Sequence, residues 1–524
     1  MPVLTLDTLR TSGRYLNELR RFLRKPFVPD ECARLVEERV RARAQSFIDS
    51  LEAGVFEHPS SPYARLLAHA GITRAGVVAM VREAGVEQAL RRLAEAGVYI
   101  SYEEYKGRVP VTRGTLEFAI GPDDFDNRVA SAQYHANTEG SRGMRRRAVR
   151  LDLLENDAPY HALFLAAFGL DDRPMGLWRP VPPGLAGLQI VLRHMKLGKP
   201  VERWFSHTAV DRTQLTFASA VYGSRLWGTP LPIPIHVPLD QAWRVAEWLA
   251  DKRRAGTPAL LDTNASSGVR ICLAALERGL DISGTFFVLG GEPYTPAKAA
   301  VIARTGSVVA APYTMNEIGR IGLPCAAPAD LDDTHVASDK LAVISRLKQV
   351  GSDGPAVQTM LITTLRPVAP KVMLNVETDD YAVLEERVCA CPLERLGMHT
   401  HMRYIRSYDK LTSEGLKFQG ARILALVEDV LPARFGGYAT DYQFVEEEEG
   451  GIPKISIVVS PRIGPLDERR LVNDVLAFLG AERKSRSLTL ERWREAKTLR
   501  VVRREPYATG TAKILPLHVL SHRP

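Results

Sequence analysis

A chain of 524 residues, 45% hydrophobic and 25% charged, has the balance of a globular protein with room for about two to four domains. The net charge of +8 is spread thinly, and the basic clusters (Arg20, Arg21, Arg24 and Lys25; Arg145, Arg146 and Arg147) are short. They fit a solvated face or a phosphate-binding patch better than a nucleic-acid groove. No apolar run approaches a membrane span, and the N-terminal segment lacks the uninterrupted apolar stretch of a secretion signal. The expected compartment is therefore the cytoplasm, with neither nucleic acid nor membrane as partner. The five cysteines, Cys32, Cys272, Cys325, Cys389 and Cys391, are an odd and sparse set that excludes a disulfide framework.

In chain order, about the first 105 residues read as helical. Leu35, Val36, Val40, Ala44, Phe47, Ile48 and Leu51 recur at helical spacing behind Pro29-Asp30. The middle alternates between strands (Ala259–Leu261, Thr285–Leu289, Val308–Ala310) and helices (Ser267–Arg278, stopped by Gly279, and Thr295–Thr305), which predicts a parallel, two-faced sheet. An apolar run over Lys371–Val376 precedes the acidic triplet Thr378-Asp379-Asp380. After residue 407 the texture becomes that of a small α+β unit. A helix is expected from Ile423 to Val430, then strands Tyr442–Val445 and Ile455–Val459 about an acidic turn from Glu446 to Pro453. An amphipathic helix through Leu471, Val472, Val475, Leu476 and Leu479 and a strand at Leu499–Val502 complete it.

Four segments carry residue types suited to nucleotide chemistry. Thr138-Glu139-Gly140-Ser141-Arg142-Gly143-Met144-Arg145-Arg146 offers backbone N–H groups and arginines to phosphate, but closes with no Walker lysine. Gly290-Gly291-Glu292-Pro293 follows a predicted strand, where ligands bind in parallel sheets. Tyr313-Thr314-Met315-Asn316-Glu317 sets an aromatic ring, hydroxyl and amide groups beside a carboxylate, able to stack a base and hold Mg²⁺. Thr378-Asp379-Asp380 could bind ribose. Taken singly, each is as well read as an ordinary loop or turn.

Taken in order, the four resemble the adenylate-forming enzymes, most closely their phenylacetate–CoA ligase-like branch, over roughly residues 60 to 520. The resemblance implies an α/β fold. A large N-terminal adenylate-forming domain (1–407) would have mostly parallel sheets flanked by helices, and a small mobile α+β lid domain (408–524) would follow. It implies that Thr138, Gly140, Ser141, Gly143, Arg145 and Arg146 hold the β- and γ-phosphates, and that Glu317 organises magnesium. Gly291, Glu292, Pro293, Tyr313, Thr314 and Asn316 would flank adenine and the α-phosphate, Asp380 and Arg406 would hold ribose, and Lys513 in Thr509–Ile514 would act at the transition state. Arg406-Ser407-Tyr408-Asp409 resembles the hinge. Departures from the family pattern are Glu139 and Arg142 in the phosphate loop, Thr314 and Asn316 for glycine and threonine, Asp379 for glycine, and a long segment from Asp409 to Gly420.

Cys325, His335, Cys389 and Cys391 offer thiolate and imidazole to a tetrahedral zinc in a subregion of about 325–391, with His399 or His401 as substitutes for His335. The same branch carries such a set in this order. Cys32 and Cys272 lie on helical apolar faces and read as core. The expected activity is ATP-dependent activation of a hydrophobic or aromatic carboxylic acid as an acyl-adenylate, with pyrophosphate released and the acyl group passed to coenzyme A or a carrier-protein thiol. Fold-level analogy places the acid pocket along Trp178–Leu188 and Trp204–Ala218. An amine or protein nucleophile as acceptor, a catalytically inactive nucleotide-binding or interaction protein, and a homodimer stay open.

Overall fold

The computed structural model describes residues 6–127, 134–138, 145–149, 151–182, 186–208, 215–349, 356–407, 410–413, 416–419, 423, 426–437, 441–449, 452–480, 499–507 and 517–519. The expected helical region is present as Leu6–Arg24, Pro29–Arg41, Arg43–Leu51, Pro62–His69 and Arg74–Glu95, the last bent at Gly85. The apolar stripe read from the sequence faces inward: Val36, Phe47 and Leu51 are buried. Among the described residues no single helix is long and apolar enough to cross a membrane.

Six strands form one wholly parallel sheet: β1 (Met175–Trp178), β2 (Val201–Ser206), β3 (Pro234–His236), β4 (Leu260–Asn264), β5 (Phe286–Gly290) and β6 (Val308–Ala310). Their order across the sheet is 6-5-4-1-2-3. Chain progression reverses between β1 and β4, the switch point beside which open parallel sheets bind ligands at the strands' carboxyl ends. Alternation along each strand builds two cores. Leu260, Phe286 and Val288 pack on one face with the helices Leu151–Ala167 and Ala186–Met195, while Leu261, Phe287 and Leu289 pack on the other with Ala242–Arg254 and Ala265–Arg278. Gly279, read as a helix stop, caps the latter helix at φ 63°.

A seven-stranded sheet follows: β7 (Tyr313–Met315), β8 (Gly319–Pro324), β9 (Thr334–Val336), β10 (Leu341–Gln349), β11 (Ala356–Thr364), β12 (Val376–Glu386) and β13 (Thr400–Ser407). Its order is 7-8-9-13-12-11-10, antiparallel throughout. Thr378-Asp379-Asp380, open to reading as a strand-end ribose site or as an acidic turn, is strand. It lies inside β12, where Asp380 pairs with Ser407, and all three residues are buried against neighbouring strands.

The C-terminal residues gather round a separate core of Ile423, Leu426, Leu431, Phe444, Ile457, Leu471 and Val475. Its four-stranded sheet has the order Leu499–Arg503, Ile452–Val459, Tyr442–Glu449, Leu517–Val519. The acidic turn expected from Glu446 to Pro453 is instead strand: Glu446 pairs with Ile455 and Glu449 with Ile452. Glu447 is accommodated because Arg500 reaches it at 2.6 Å and Ser456 at 2.7 Å. The hinge residues Tyr408 and Asp409 lie outside the described residues.

Beside the first core, His161 Nε2 and His194 Nδ1 share a buried hydrogen bond of 2.9 Å. Burial, then Lys199, pushes His194 down to about 3, and burial, then His194, pushes His161 well below its ordinary 6.5. A base whose folded pKa is depressed contributes stability present above about 6.5 and lost as the pH falls towards 3. At about pH 5 His194 alone should cost about 2 kcal/mol. Urea unfolding of wild type and His194→Asn should show a stability difference that shrinks by about that amount between pH 7 and pH 5. A difference independent of pH would contradict it.

Candidate active site

Arg179 directly follows β1 at the switch point and is buried. Its Nε donates to Asp262 Oδ1 at 2.7 Å and its Nη2 to the Thr263 carbonyl at 2.6 Å, while Nη1 donates to Asn264 Oδ1. All three partners belong to β4, so one guanidinium joins the carboxyl ends of the two strands where progression reverses. Sequence reading missed this residue. The available signal was an arginine ending a short apolar strand, a position that demands an anionic partner once buried.

Gly290-Gly291-Glu292-Pro293 leaves the end of β5 on the same edge. Gly291 has a φ of 82°, a left-handed conformation that suits glycine, and a Cβ on Gly290 would sit 3.3 Å from Arg179 Nη2. Glu292 turns inward: Ser266 donates to its carboxylate through both Oγ and N, the latter at 3.3 Å. A carboxylate at the first turn of Ala265–Arg278 complements that helix's dipole. Lys298 Nζ holds the Pro293 carbonyl at 2.9 Å.

Three residues past β6, Tyr313 donates its hydroxyl to Asp380 Oδ2 at 2.7 Å, across 67 residues of chain. Two of the sequence-predicted site residues thus meet. Burial, then the Asp380 charge, raises the Tyr313 phenol well above its ordinary value, so it stays a donor. Thr314 and Asn316 are exposed beside it, and Glu317 lies 4.0 Å from Lys106 Nζ. Glu317 presents hard carboxylate oxygen on this edge, the donor type magnesium takes.

Arg406 is not brought to Asp380. Asp380 is paired with Ser407 and Tyr381 with Arg406, so the two site residues leave the sheet on opposite faces. Arg406 Nη1 instead reaches Asp332 Oδ2 at 2.8 Å, and Asp332 also accepts from the backbone N–H groups of Tyr404 and Ile405.

Gly140, Ser141 and Gly143 lie outside the described residues, but their flanks form a hairpin in which Thr138 pairs with Arg145 and Asn137 with Arg146. Lys513 also lies outside them. Both flanks of its segment are fastened to the strand Tyr442–Glu449: Gln443 bonds the Tyr507 backbone at 2.8 and 3.1 Å, and Phe444 pairs with Leu517.

The cysteine–histidine set does come together. One ligand atom from each of Cys325, His335, Cys389 and Cys391 lies within 4.8 Å of the others. Tetrahedral zinc–sulfur bonds of about 2.3 Å set ligand atoms roughly 3.8 Å apart, so one ion fits with little adjustment. His335 Nδ1 bonds the Met398 carbonyl at 2.7 Å, leaving Nε2 directed at Cys389 Sγ, 3.7 Å away. Backbone N–H groups of Ala326, Ala327 and Cys391 donate to the three sulfurs at 3.4 Å, favouring thiolate. The apposed Cys325 thiol, followed by His335, holds Cys391 below the usual thiol range. His401, considered as a substitute, has its Nδ1 bonded to Asp333 at 2.8 Å, and its ring lies tilted 4.0 Å from that of His335. His399 is exposed. Cys32 and Cys272 are buried in the two cores flanking the parallel sheet, as their apolar neighbours indicated.

No protein-family model matches the chain, and no curated protein does. Among solved structures it is similar to a 2-hydroxyisobutyryl-CoA ligase in complex with 2-HIB-AMP and CoA. The identity is 14% and the TM-score 0.48, over 95% of this chain and 92% of that one. It is also similar to the amide bond synthetase McbA from Marinactinospora thermotolerans (12% identity, TM-score 0.31, 90% and 97% covered). A third is an acyl-CoA synthetase (AMP-forming)/AMP-acid ligase II-like protein from Dyadobacter fermentans (16% identity, TM-score 0.28, 73% and 87% covered).

The four-ligand geometry leads to a direct test. Purified protein should contain one zinc per chain, and a Cys389→Ser/Cys391→Ser variant should lose it together with at least about 3 kcal/mol of stability. Metal analysis and urea unfolding check both. Protein without zinc, or a variant as stable as wild type, would show that the thiols are packing groups only.

Proposed function

We propose that the protein activates a carboxylic acid with ATP as an acyl-adenylate and passes the acyl group to a thiol, coenzyme A or a carrier protein. The observation that carries this reading is the Tyr313–Asp380 hydrogen bond. It unites two motif positions of the adenylate-forming pattern within the antiparallel sheet, with the Glu317 charge close enough to act on Tyr313. An aromatic plane, a ribose-accepting carboxylate and a magnesium-type carboxylate together suit a nucleotide triphosphate. A phenylacetate–CoA ligase-like preference for acids with an aromatic or apolar body is the specificity we assign.

In the first half-reaction a carboxylate oxygen of the acid attacks the α-phosphorus, a P–O bond forms, and the α–β bond breaks to release pyrophosphate. Positioning and charge neutralisation supply most of the rate. Tyr313 would flank adenine and Asp380 would accept from ribose. Arg406 would have to leave Asp332 to join them. The loop from Thr138 to Arg146 would hold the β- and γ-phosphates. Glu317 would hold magnesium, which screens phosphate charge when bound. Zinc on Cys325, His335, Cys389 and Cys391 would leave no open position and so serve structure alone.

The segment 408–524 is proposed as a mobile lid that turns about Tyr408 and brings Lys513 to the α-phosphate for adenylation only. A point charge there is worth about 3–5 kcal/mol, or about 10²–10⁴-fold. Lys513→Ala should slow acid-dependent ATP–pyrophosphate exchange by that factor, while conversion of a pre-formed acyl-adenylate to thioester should change little. Equal loss in both half-reactions would refute the two-position lid. Intact ATP binding without exchange on any acid would favour an inactive nucleotide-binding protein.

A further inference from the structure

Three residues beyond Glu317, Arg320 is the second residue of β8, directly across from Thr314 in the β7–β8 pairing. Its side chain is 4% exposed, and its Nε and Nη1 have no hydrogen-bond partner among the described residues. A buried guanidinium without an acceptor is costly, and native structures rarely keep one without a ligand or water to satisfy it. The two nearby carboxylates are committed elsewhere. Asp157 takes Lys340 Nζ at 2.8 Å, and Asp262 takes Arg179 Nε at 2.7 Å. Arg193, on Ala186–Met195, lies close enough for its charge to oppose that of Arg320, and among the described residues its own Nε also lacks a hydrogen-bond partner. Among the described residues, Asp157 and Asp262 are thus each shared between Arg320 and another cation, Lys340 or Arg179. Burial and then Arg193 press Arg320 down to about 10, the direction expected of a cation lacking its counter-ion.

The surroundings are those of a small organic anion. The Arg320 guanidinium stands 6.0 Å over the Phe164 ring, and Phe164 belongs to the apolar core under the parallel sheet. We propose that Arg320, assisted by Arg193, binds a second carboxylate on the acid substrate, making this protein selective for dicarboxylic acids. This rests on the acid-activation reading above and adds the substrate class. The first carboxylate would face the nucleotide edge at Thr314 and Glu317, and the second would lie towards Phe164.

Isothermal titration calorimetry of the full-length protein tests it with matched pairs, glutarate against butyrate and 4-carboxyphenylacetate against phenylacetate, with ATP as a third ligand. At least one dicarboxylate should bind at least about 30-fold more tightly than its partner, the worth of a charge-assisted hydrogen bond in a dry site. Arg320→Gln should abolish that preference without weakening the monocarboxylate, and Arg320→Lys should restore part of it. Arg193→Gln, away from the sheet, should reduce the same preference and serves should Arg320→Gln fail to fold. No dicarboxylate preference in wild type, equal loss for both acids, or weakening of ATP rather than the acid would overturn the proposal. The last result would assign the cations to phosphate. A dicarboxylate that binds through Arg320 yet supports no pyrophosphate exchange would uphold the site and refute acid activation.

Discussion

The buried guanidinium of Arg179 fixes the point on which the site depends. In a parallel sheet of order 6-5-4-1-2-3, β1 and β4 are neighbours whose following segments depart to opposite faces, so a crevice opens between them. Main-chain hydrogen bonds end there, and three donors of Arg179 continue the connection beyond them through Asp262, Thr263 and Asn264. A planar fork suits this task, since a lysine would satisfy one partner at a time. Gly290 passes beside the same guanidinium, where a Cβ would crowd Nη2 at 3.3 Å.

The antiparallel sheet gathers the remaining groups. β7 begins three residues after β6, so Tyr313 and Glu317 need only a short connection, whereas Asp380 arrives from the middle of a long strand. The segment from Cys325 to His335 also carries Asp332, which anchors Arg406, and Asp333, which anchors Arg387 and His401. A zinc ion at the cysteine cluster would therefore fix more than its own ligands, because the position of Arg406 follows from the loop the metal closes.

Much of this architecture was legible in local pattern. Alternating apolar runs marked the parallel strands, Gly279 marked a helix end, and the Cys–His spacing marked a set that the fold does gather. What escaped were charges whose partners are remote in sequence. Asp379 and Asp380 could equally be read as a turn, because isolated acids disfavour strands, and Tyr313 accommodates Asp380 in a strand from 67 residues away. Glu446 to Glu449 read as a turn for the same reason, and Arg500, 53 residues beyond Glu447, is what makes a strand tolerable. The choice among His335, His399 and His401 also needed the fold, since only backbone geometry shows that Met398 orients His335 while Asp333 claims His401.

The central claim is that a carboxylate oxygen becomes bonded to the α-phosphorus of ATP in this site. Incubating the protein with ATP, a thiol and an acid labelled with ¹⁸O in both carboxylate oxygens, then weighing the nucleotide product by mass spectrometry, tests that bond directly. The account predicts that each AMP formed carries one ¹⁸O atom. Label in inorganic phosphate with ADP as the nucleotide product, or AMP without label, would contradict it.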